Sequence, residues 1–432
     1  MISKFIFTLF LIFAASTSLF GQYFWQRIDS PTDIFLRTLQ FTDSLKGWVA
    51  GDSGLIFYTS DGGLNWKQQQ TNNNFKIMKL FFLNENKGWG VAWDESGSNM
   101  FYGTYILKTS DGGETWNSEQ YREEDVFLAT IYFLDSLKGF MGGYPGKFLI
   151  TTDGGINWEN AQIDSGAFAY FPPVHFNFFN EQYGFAAGGA MDIAGVVWKT
   201  TNGGESWKPL NVGSPDPIRA IHFFDSLNVY GIGGDPEFFG IAIIRSTDAG
   251  ESWTYEEPGI IGVATALSFR TETEAWAPTS FAQTLIYSFD SGNTWTDTST
   301  VDSSRIYDLV FTDSLTGYAV GEEGVILKYK YQYPDFVNDN SSPVVQNFLL
   351  FQNFPNPFNP STTISYYISE PGEVTLKIYN VLGNLVLTLV EDYKSIGNHD
   401  VVWNATNKPS GVYYFQLNVN GKFATRKMLL LK

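Results

Sequence analysis

Short stretches of alternating hydrophobic and polar residues recur along the chain. At the start they cover residues 36–41, 48–51 and 55–59, and a fourth begins at Trp66. Runs of this length, separated by Gly and Asp, are typical of β-strands joined by tight turns. Asp-Gly-Gly, which precedes the fourth run, favours a hairpin because Gly readily takes a positive φ. The pattern therefore predicts a four-stranded antiparallel sheet as the basic unit.

Two motifs show that this unit repeats. The first, [Ser/Thr]-x-Asp-x-Gly-x-x-Trp, occurs at residues 59–66, 109–116, 151–158, 200–207, 246–253 and 288–295, with Asn202 replacing Asp in the fourth copy. The second, in its fullest form Phe-x-Asp-x₃-Gly-Trp, occurs seven times, with its third position at Asp43, Asn84, Asp135, Asn180, Asp225, Thr271 and Asp313. These positions are 41 to 51 residues apart. A period in the forties fits one propeller blade per repeat.

The seventh repeat lacks the first motif and its fourth strand. Residues 23–26 precede the first repeat and place Trp25 as Trp66 is placed in the first box. We expect this N-terminal strand to pair with residues 325–330 and close the ring, which removes the open sheet edges. The sequence thus predicts an all-β fold in which a seven-bladed β-propeller spans residues 22–331.

The two ends of the chain differ from the repeats. An apolar run at residues 5–15 follows Lys4 and precedes small residues, which predicts a signal peptide over residues 1–21. The run is too short to span a bilayer. Residues 332–347 are rich in Pro, Asn, Asp and Ser and are expected to form a linker. Short alternating strands in residues 348–432 predict a small immunoglobulin-like β-sandwich.

Composition excludes several classes of protein. There is no Cys, so no disulfide or Cys-based metal site can form, and only three His are present. The net charge of -18 argues against a nucleic-acid ligand. Residues 351–432 contain 7 Lys and Arg and 5 Asp and Glu, and residues 1–21 contain one Lys, so residues 22–350 hold 19 basic and 40 acidic residues, a net charge of -21. Such a field favours cationic partners or divalent ions.

The first motif is the Asp-box, or bacterial neuraminidase repeat. Together with the alternating Gly-Trp motif it makes residues 23–331 resemble the seven-bladed propellers of the photosystem II assembly-factor type. That resemblance implies a binding scaffold without catalysis, and it does not imply a photosynthetic role for an exported protein. A fold of this kind serves many chemistries, so the resemblance is more informative about fold than about function.

The C-terminal block resembles the type A sorting domain of the type IX secretion system. The residues that carry this resemblance lie in Gln352–Pro360, Val374–Gly383, Pro409–Tyr413 and Lys427–Lys432. The resemblance implies export across both membranes, removal of the domain, and release or surface attachment of the remainder. Its expected sorting-motif residues are Pro355, Asn356, Pro357, Phe358, Gly383, Gly411, Lys427 and Lys432.

The Asp-box residues are expected to stabilise turns. One box per blade distributes the acids around the rim, where they do not converge on one catalytic point. Calcium binding or catalysis by these acids is the alternative, and no cofactor is otherwise expected. The residues concerned are Asp61, Asp111, Asp153, Asn202, Asp248, Asp290, Trp66, Trp116, Trp158, Trp207, Trp253 and Trp295.

Ligand binding is expected on the face opposite the Asp-box turns, where the loops are irregular and carry aromatic and acidic residues. Arg37 and Arg219 occupy equivalent positions in two repeats and are expected to edge the channel mouth. The candidates are Arg37, Trp93, Asp94, Tyr102, Tyr144, Tyr170, Arg219, Asp235, Phe238 and Glu322. Filling gaps between blades is the alternative role for the aromatic members.

The sequence therefore favours a secreted or cell-surface, non-enzymatic propeller, expected to be monomeric. Its partners would be the type IX secretion machinery and an extracellular protein or glycan, with no nucleic acid and no transmembrane segment. Sialidase chemistry is disfavoured because Arg27 is followed by Ile28-Asp29 and not by Ile-Pro. The alternative is a secreted glycoside hydrolase or lyase that acts on polysaccharide at the channel mouth, and a structural adhesion component is a third hypothesis.

Overall fold

The computed structural model describes residues 25–96, 102–236, 240–330, 348–351, 353, 356, 358–368 and 370–431. The chain divides into two compact units, the first ending at Gln332 and the second beginning at Tyr333. The predicted signal peptide and linker lie outside the described residues, as do the candidates Phe238, Pro355, Pro357 and Lys432. The domain boundaries therefore stay a prediction.

The first unit contains seven sheets, one for each repeat of the second motif. Their strands are, for blade 1, β2 Leu36–Phe41, β3 Gly47–Gly51, β4 Ile56–Thr59 and β5 Lys67–Gln69; for blade 2, β6 Lys76–Phe82, β7 Gly88–Asp94, β8 Gly103–Thr109 and β9 Asn117–Gln120; for blade 3, β10 Phe127–Phe133, β11 Gly139–Tyr144, β12 Lys147–Thr151 and β13 Glu159–Asn160.

The later blades follow the same order. Blade 4 has β15 Pro173–Phe178, β16 Gly184–Ala190, β17 Ala194–Thr200 and β18 Ser206–Asn211; blade 5 has β19 Ile218–Phe223, β20 Val229–Asp235, β21 Gly240–Ser246 and β22 Thr254–Glu256; blade 6 has β23 Ser268–Phe269, β24 Ala275–Pro278, β25 Thr284–Ser288 and β26 Thr296–Ser299; blade 7 has β27 Ile306–Phe311, β28 Thr316–Gly321 and β29 Ile326–Lys330. Short 3-10 turns lie at Asp52–Gly54, Ser280–Ala282, Val301–Ser303 and Glu322–Gly324.

The N-terminal strand closes the ring. β1, Trp25–Arg27, pairs antiparallel with β29 and becomes the outer strand of blade 7, with Trp25 opposite Tyr329. Trp25 is buried against Trp276 and Tyr329, at ring-centroid distances of 5.9 and 5.3 Å. The inner strands β2 and β27 are in contact, so blades 1 and 7 meet. The predicted closure and the seven-bladed all-β fold are confirmed.

Blade 4 differs from the predicted four-stranded unit. An additional strand, β14 at Gln162–Ile163, runs parallel to β18 at the outer edge of this blade. It comes from the segment that links blades 3 and 4. Two residues without an alternating pattern give no sequence signal for a strand, so this one was not predicted.

The Gly of the Gly-Trp motif is required by close packing. A Cβ on Gly47 would lie 2.3 Å from a ring carbon of Phe41, the Phe of the same motif. Gly88 and Phe82 repeat this relationship in blade 2, at 2.5 Å. The motif therefore reflects a close contact between its Phe ring, on the first strand of the hairpin, and its Gly, on the second strand.

The second unit is a two-sheet sandwich with one core. One sheet has the order β30 Phe348–Leu350, β31 Ser361–Ile368, β34 Gly397–Asn404; the other has β33 Leu385–Lys394, β32 Gly372–Asn380, β35 Gly411–Val419, β36 Lys422–Leu430. Both sheets contribute to the core, for example through Trp403 and Phe415. The sequence predicts strands at residues 363–368, 374–379, 385–390, 400–403 and 412–419, which correspond to β31, β32, β33, β34 and β35, whereas β30 and β36 were not predicted.

No helix in the described part of the chain is long and apolar enough to cross a membrane.

Candidate functional site

The Asp-box turns lie on one face of the propeller, which we call the turn face. The Gly62 amide of the box turn donates to the Leu45 carbonyl in the turn between β2 and β3, at 2.8 Å, and Gly154 and Leu137 repeat this in blade 3. The opposite face, which we call the loop face, is formed by the loops between second and third strands and those that lead to the next blade. The predicted division of the two faces agrees with this connectivity.

Each Asp-box carboxylate is bound within its own turn. Asp111 accepts hydrogen bonds from the Thr109 hydroxyl at 2.8 Å, the Thr115 amide at 2.9 Å and the Thr115 hydroxyl at 2.6 Å. The Thr109 hydroxyl in turn accepts from the Gly113 amide at 2.8 Å. These bonds, above all those from Thr115, lower the pKa of Asp111 to about 2. The Asp111 carboxylate is therefore ionised, and both of its oxygens accept hydrogen bonds from residues of the same turn.

The other boxes have the same arrangement. The pKa values of Asp61, Asp153 and Asp248 are also lowered to about 2, chiefly by bonds from Asn65, Asn157 and Ser252. Asn202 accepts from the Ser206 amide at 3.1 Å and from the Thr200 hydroxyl at 2.9 Å, so the amide reproduces the carboxylate's role. Asp290 binds the Thr294 amide at 2.8 Å.

Four of the six boxes are joined to the preceding blade by a hydrogen bond from the side chain at the Trp position of the second motif. Trp48 of blade 1 donates from Nε1 to the Gly112 carbonyl of blade 2 at 3.1 Å, and Trp89 donates to Gly154 of blade 3 at 3.0 Å. The Tyr318 hydroxyl of blade 7 donates to Gly62 of blade 1 at 3.1 Å. A hydrogen bond of this kind therefore also joins the last blade to the first, where the ring closes.

Aromatic rings fill the space beneath these bonds. Trp48 stacks on Phe82 of the next blade at 3.7 Å, and Phe82 meets the box residue Trp116 edge-on at 5.8 Å. The box Trp residues 116, 158 and 207 are buried, whereas 66, 253 and 295 are half-buried. These Trp side chains therefore pack within the propeller, and their contribution to turn stability stays a prediction.

The loop-face candidates differ in accessibility. Tyr170 is 83% exposed, and Tyr102 and Tyr144 are also exposed. Glu322 is half-buried and faces Arg305 at 3.3 Å. The three tyrosines are therefore accessible on this face, and their role in ligand binding stays a prediction.

Three loop-face candidates, Asp94, Asp235 and Trp93, are not exposed, so the expectation that they are displayed on the surface of this face was wrong. Asp94 and Asp235 are both buried, although each occupies the last position of a second strand, next to a loop. Asp94 accepts bonds from the Ser96 amide and hydroxyl at 2.9 and 2.6 Å and so stabilises its own loop. Trp93 is half-buried, and its Nε1 donates to the Leu128 carbonyl of blade 3 at 2.6 Å, so it fills an inter-blade gap.

Arg37 and Arg219 occupy equivalent β-bulges near the start of inner strands β2 and β19. Arg37 binds Asp52 at 2.6 Å and lies over the Phe35 ring at 4.0 Å. The Nε atom of Arg219 is buried and has no hydrogen-bond partner among the described residues. The bulges place both residues at the loop-face end of the inner strands, and their role at the channel mouth stays a prediction.

A charged cluster that was not predicted from the sequence lies among the inner strands. Lys79 of blade 2 reaches past blade 1 to Asp308 of blade 7, with Nζ and Oδ2 at 2.9 Å. The Leu39 amide of blade 1 also donates to this carboxylate, at 3.3 Å. Lys79, His175 and Asp308 each lie three residues before the Phe of the second motif. That shared position was the available signal.

His175 of blade 4 belongs to this cluster electrostatically. Burial first, and then the charge of Lys79, lower the pKa of His175 to about 4. Its Nε2 is buried without a hydrogen-bond partner in the described structure, although other atoms of the residue are partly accessible. The imidazole is therefore neutral at pH 7. His222 is stacked on Phe269 at 4.1 Å, and burial lowers its pKa to about 4.

The two ends of the sorting domain's sequence pattern lie side by side. The Asn356 side chain accepts from the Leu429 amide at 2.8 Å, and Phe358 is buried and forms a parallel bridge with Leu430. Gly383 and Gly411 have φ values of 76° and 148°, which favour Gly. Lys427 lies on β36, opposite Tyr414.

Comparison with known families agrees with this two-part organisation. Residues 352–431 match the secretion system C-terminal sorting domain, and residues 18–93 and 259–330 match the photosynthesis system II assembly factor YCF48. The photosystem II assembly lipoprotein Ycf48 of Picosynechococcus sp. is 26% identical over 316 residues, covering 71% of this chain and 87% of the relative. The second match covers the repeats at the two ends of the propeller sequence and does not include residues 94–258.

Solved structures share the fold. YCF48 bound to D1 peptide has a TM-score of 0.55 at 22% identity, covering 71% of this chain and 97% of that one. PorZ, a surface component of the type IX secretion system of Porphyromonas gingivalis, has a TM-score of 0.54 at 15% identity, covering 93% and 60%. Virginiamycin B lyase from Staphylococcus aureus has a TM-score of 0.56 at 14% identity, covering 71% and 99%, so enzymes also use this fold.

These findings define an exported Asp-box β-propeller. The chain resembles the photosystem II assembly-factor propellers and carries a type IX secretion sorting domain, which directs it to the cell surface or the extracellular medium.

Proposed function

We propose that the propeller binds an extracellular polypeptide through its loop face and catalyses no reaction. The observation that carries the proposal is a group of exposed apolar side chains on the loops of blades 3 to 6. Tyr170, Ile261 and Ile193 are 83%, 74% and 66% exposed, and Tyr144 and Met191 accompany them. Clustered apolar residues on an exposed loop surface are typical of protein-binding sites.

Contacts between neighbouring loops support a continuous surface. A Cβ on Gly146 would lie 2.0 Å from the Tyr170 carbonyl, so the Tyr144 turn touches the Tyr170 loop. The Gly189 amide donates to the Pro172 carbonyl at 3.3 Å, which connects that loop to the hairpin carrying Met191 and Ile193.

Farther around the ring, the Asp192 amide donates to Asp216 at 3.0 Å and the Ile241 amide donates to the Ile260 carbonyl at 2.9 Å. The first contact links the Met191 hairpin to the loop that enters blade 5. The second attaches the loop that carries Ile261 to the β20–β21 hairpin. The exposed residues are thus presented by loops that support one another.

A polypeptide suits this surface better than a glycan. Sugars stack on flat aromatic rings, whereas Met191, Ile193 and Ile261 are flexible or branched aliphatic residues. The net charge of -21 over residues 22–350 favours a ligand with basic residues. YCF48, a propeller of the same fold, binds a D1 peptide, which adds support for a peptide ligand. We therefore propose a segment that carries both apolar and basic residues.

The ion pairs at the loop face support a role without catalysis. Asp52 is paired with Arg37 at 2.6 Å, Glu322 with Arg305 at 3.3 Å, and Glu95 with Lys76. Glycosidases need two carboxyl groups that flank an accessible cleft. Asp216 and Asp235, which lie together, are 0% and 1% exposed, too buried to contact a sugar.

Parallel screens of the full-length protein test the proposal. The protein is applied to a random peptide array, to a glycan array, and to soluble polysaccharides with a reducing-sugar assay. We expect retention on peptides that combine apolar and basic residues, with no release of reducing ends. Retention on glycans alone would contradict the proposed polypeptide ligand, and turnover of any polysaccharide would contradict the absence of catalysis and favour the hydrolase or lyase alternative.

A further inference from the structure

Three carboxylates converge on the loop face between blades 4 and 5. Asp192 lies in the β16–β17 hairpin, Asp216 in the loop that enters blade 5, and Asp235 at the end of β20. One oxygen from each lies within 4.8 Å of the others. Asp192 is exposed, whereas Asp216 and Asp235 are 0% and 1% exposed.

One oxygen of Asp216 has no partner. Its Oδ1 accepts from the Asp192 amide at 3.0 Å, but its Oδ2 is buried and has no hydrogen-bond donor within reach in the described structure. A buried carboxylate oxygen without a donor is costly, since it loses its hydration without compensation. The Ser214 hydroxyl, which receives the Asp216 amide at 3.1 Å, fixes the backbone that holds this side chain in place.

The surrounding charges increase this cost. Burial, and then the neighbouring charges of Asp235, Asp192 and Glu257, raise the pKa of Asp216 against the opposing bond from the Asp192 amide. Among the described residues, no Lys or Arg forms an ion pair with Asp192 or Asp216, although three further acids of the loop face, Asp52, Glu95 and Glu322, have such partners. The cluster therefore needs either a proton or a cation.

We propose that Asp192, Asp216 and Asp235 bind a calcium ion. Calcium takes oxygen ligands at about 2.4 Å, so two ligands on opposite sides of the ion are about 4.8 Å apart, the separation that this cluster allows. An ion in this position would satisfy Asp216 Oδ2. Water can complete the coordination on the exposed side of Asp192.

This site differs from the Asp-box acids, whose oxygens are occupied by hydrogen bonds within their own turns. It is also independent of the proposed peptide ligand. A calcium ion would join the β16–β17 hairpin to blade 5, next to the exposed Met191 and Ile193.

Calorimetry of the full-length protein with calcium and with magnesium, in the absence of peptide, tests the site. We expect one calcium ion with a dissociation constant between about 10⁻⁴ and 10⁻³ M, and weaker magnesium binding. Asp216→Asn should weaken calcium binding about tenfold or more, because it removes one ligand charge. Asp164→Asn, which changes an exposed acid outside the cluster, is the matched control and should bind as the wild type does.

Melting curves separate a missing ligand from a damaged fold. In the presence of a chelator Asp216→Asn should melt at or above the wild-type temperature, because it removes a buried uncompensated charge. Millimolar calcium should raise the melting temperature of the wild type and leave that of Asp216→Asn unchanged. Absence of calcium binding by the wild type would overturn the proposal. A wild-type melting temperature that is unaffected by calcium but falls as pH rises above the usual pKa of Asp would also overturn the proposal. That result would show that the carboxylates share a proton and do not bind a cation.

Discussion

Trp48 and Gly112 are joined across a blade boundary: the indole Nε1 of blade 1 donates to the carbonyl of the Asp-box turn in blade 2 at 3.1 Å. Trp48 is fully buried and stacks on Phe82 of that blade. The two repeated motifs therefore meet between these blades, where the Trp of one blade is bonded to the box turn of the next. Equivalent bonds link Trp89 to Gly154 and Tyr318 to Gly62.

We expect Trp48→Ala to destabilise the propeller by about 3–5 kcal/mol, because it leaves a large cavity between two blades. Trp48→Phe is the matched variant, since blade 3 has Phe140 at this position. It keeps the stacking and loses one hydrogen bond, which costs about 1 kcal/mol. Urea denaturation measures the free energy of unfolding of both variants. Equal losses of stability for the two variants would contradict this account of the stacked and hydrogen-bonded contact between the blades.

Asp111→Ala should lower the melting temperature by about 2–4 °C, because the amide and hydroxyl of Thr115 lose their acceptor. Asp111→Asn should be nearly neutral, since Asn202 already makes the corresponding bonds in blade 4. Calorimetric melting of the two variants tests this. If Asp111→Ala melts as the wild type does but loses a bound cation, the turn-stabilising role is wrong.

The low pKa of Asp111 also sets a pH dependence. The folded value of about 2 lies below the ordinary 3.8, so the stabilising contribution of the charge is complete above pH 3.8 and is lost as pH falls toward 2. Asp111→Asn should lose less stability than the wild type over this interval. Melting curves at pH 5 and about pH 2.5 compare the two proteins.

Lys79→Met should destabilise the protein by about 1–3 kcal/mol, because the largely buried carboxylate of Asp308 loses its ammonium partner. In the Lys79→Met background, Asp308→Asn should recover part of this loss, since the carboxamide carries no uncompensated charge. A double-mutant cycle measured in urea gives the coupling. Additive effects would show that the pair at 2.9 Å contributes nothing to stability.

Removal of residues 348–432 should stop export at the periplasm, because these residues contain the whole sorting domain that the family comparison identifies. Cell fractionation and immunoblotting of the truncated and full-length proteins measure this. Deletion of the final Met428–Lys432 segment is the finer variant, since Leu429 and Leu430 contact the Asn356–Phe358 motif. Normal surface delivery of the protein that lacks residues 348–432 would exclude the sorting role.

The parts that sequence reasoning predicted rest on local interactions. The box is visible in the sequence because Thr59, Asp61, Gly63 and Asn65 bond to one another within a single turn. The blade count follows from the spacing of such units. The closing strand was predictable because a ring with one incomplete blade needs a strand from the other terminus.

The missed features depend on distant parts of the chain. Lys79 and Asp308 are 229 residues apart and meet only after seven sheets have closed into a ring. Asp235, at the end of β20, lies beside Asp192 and Asp216, which come from two other loops. A loop that looks polar in sequence can therefore hold its acid inside, as those of Asp94 and Asp235 do.

The most direct test of peptide binding by the loop face compares two triple variants of the full-length protein. One carries Tyr170→Ala, Ile193→Ser and Ile261→Ser on the loop face, and the matched control carries Leu64→Ser, Leu137→Ser and Ile156→Ser, three exposed residues of the turn face. Calorimetry measures the affinity of each for the peptide that binds most tightly in the array. We predict a loss of about tenfold or more for the loop-face variant and unchanged affinity for the control. Equal affinities for both variants, or a loss confined to the turn-face variant, would contradict the account.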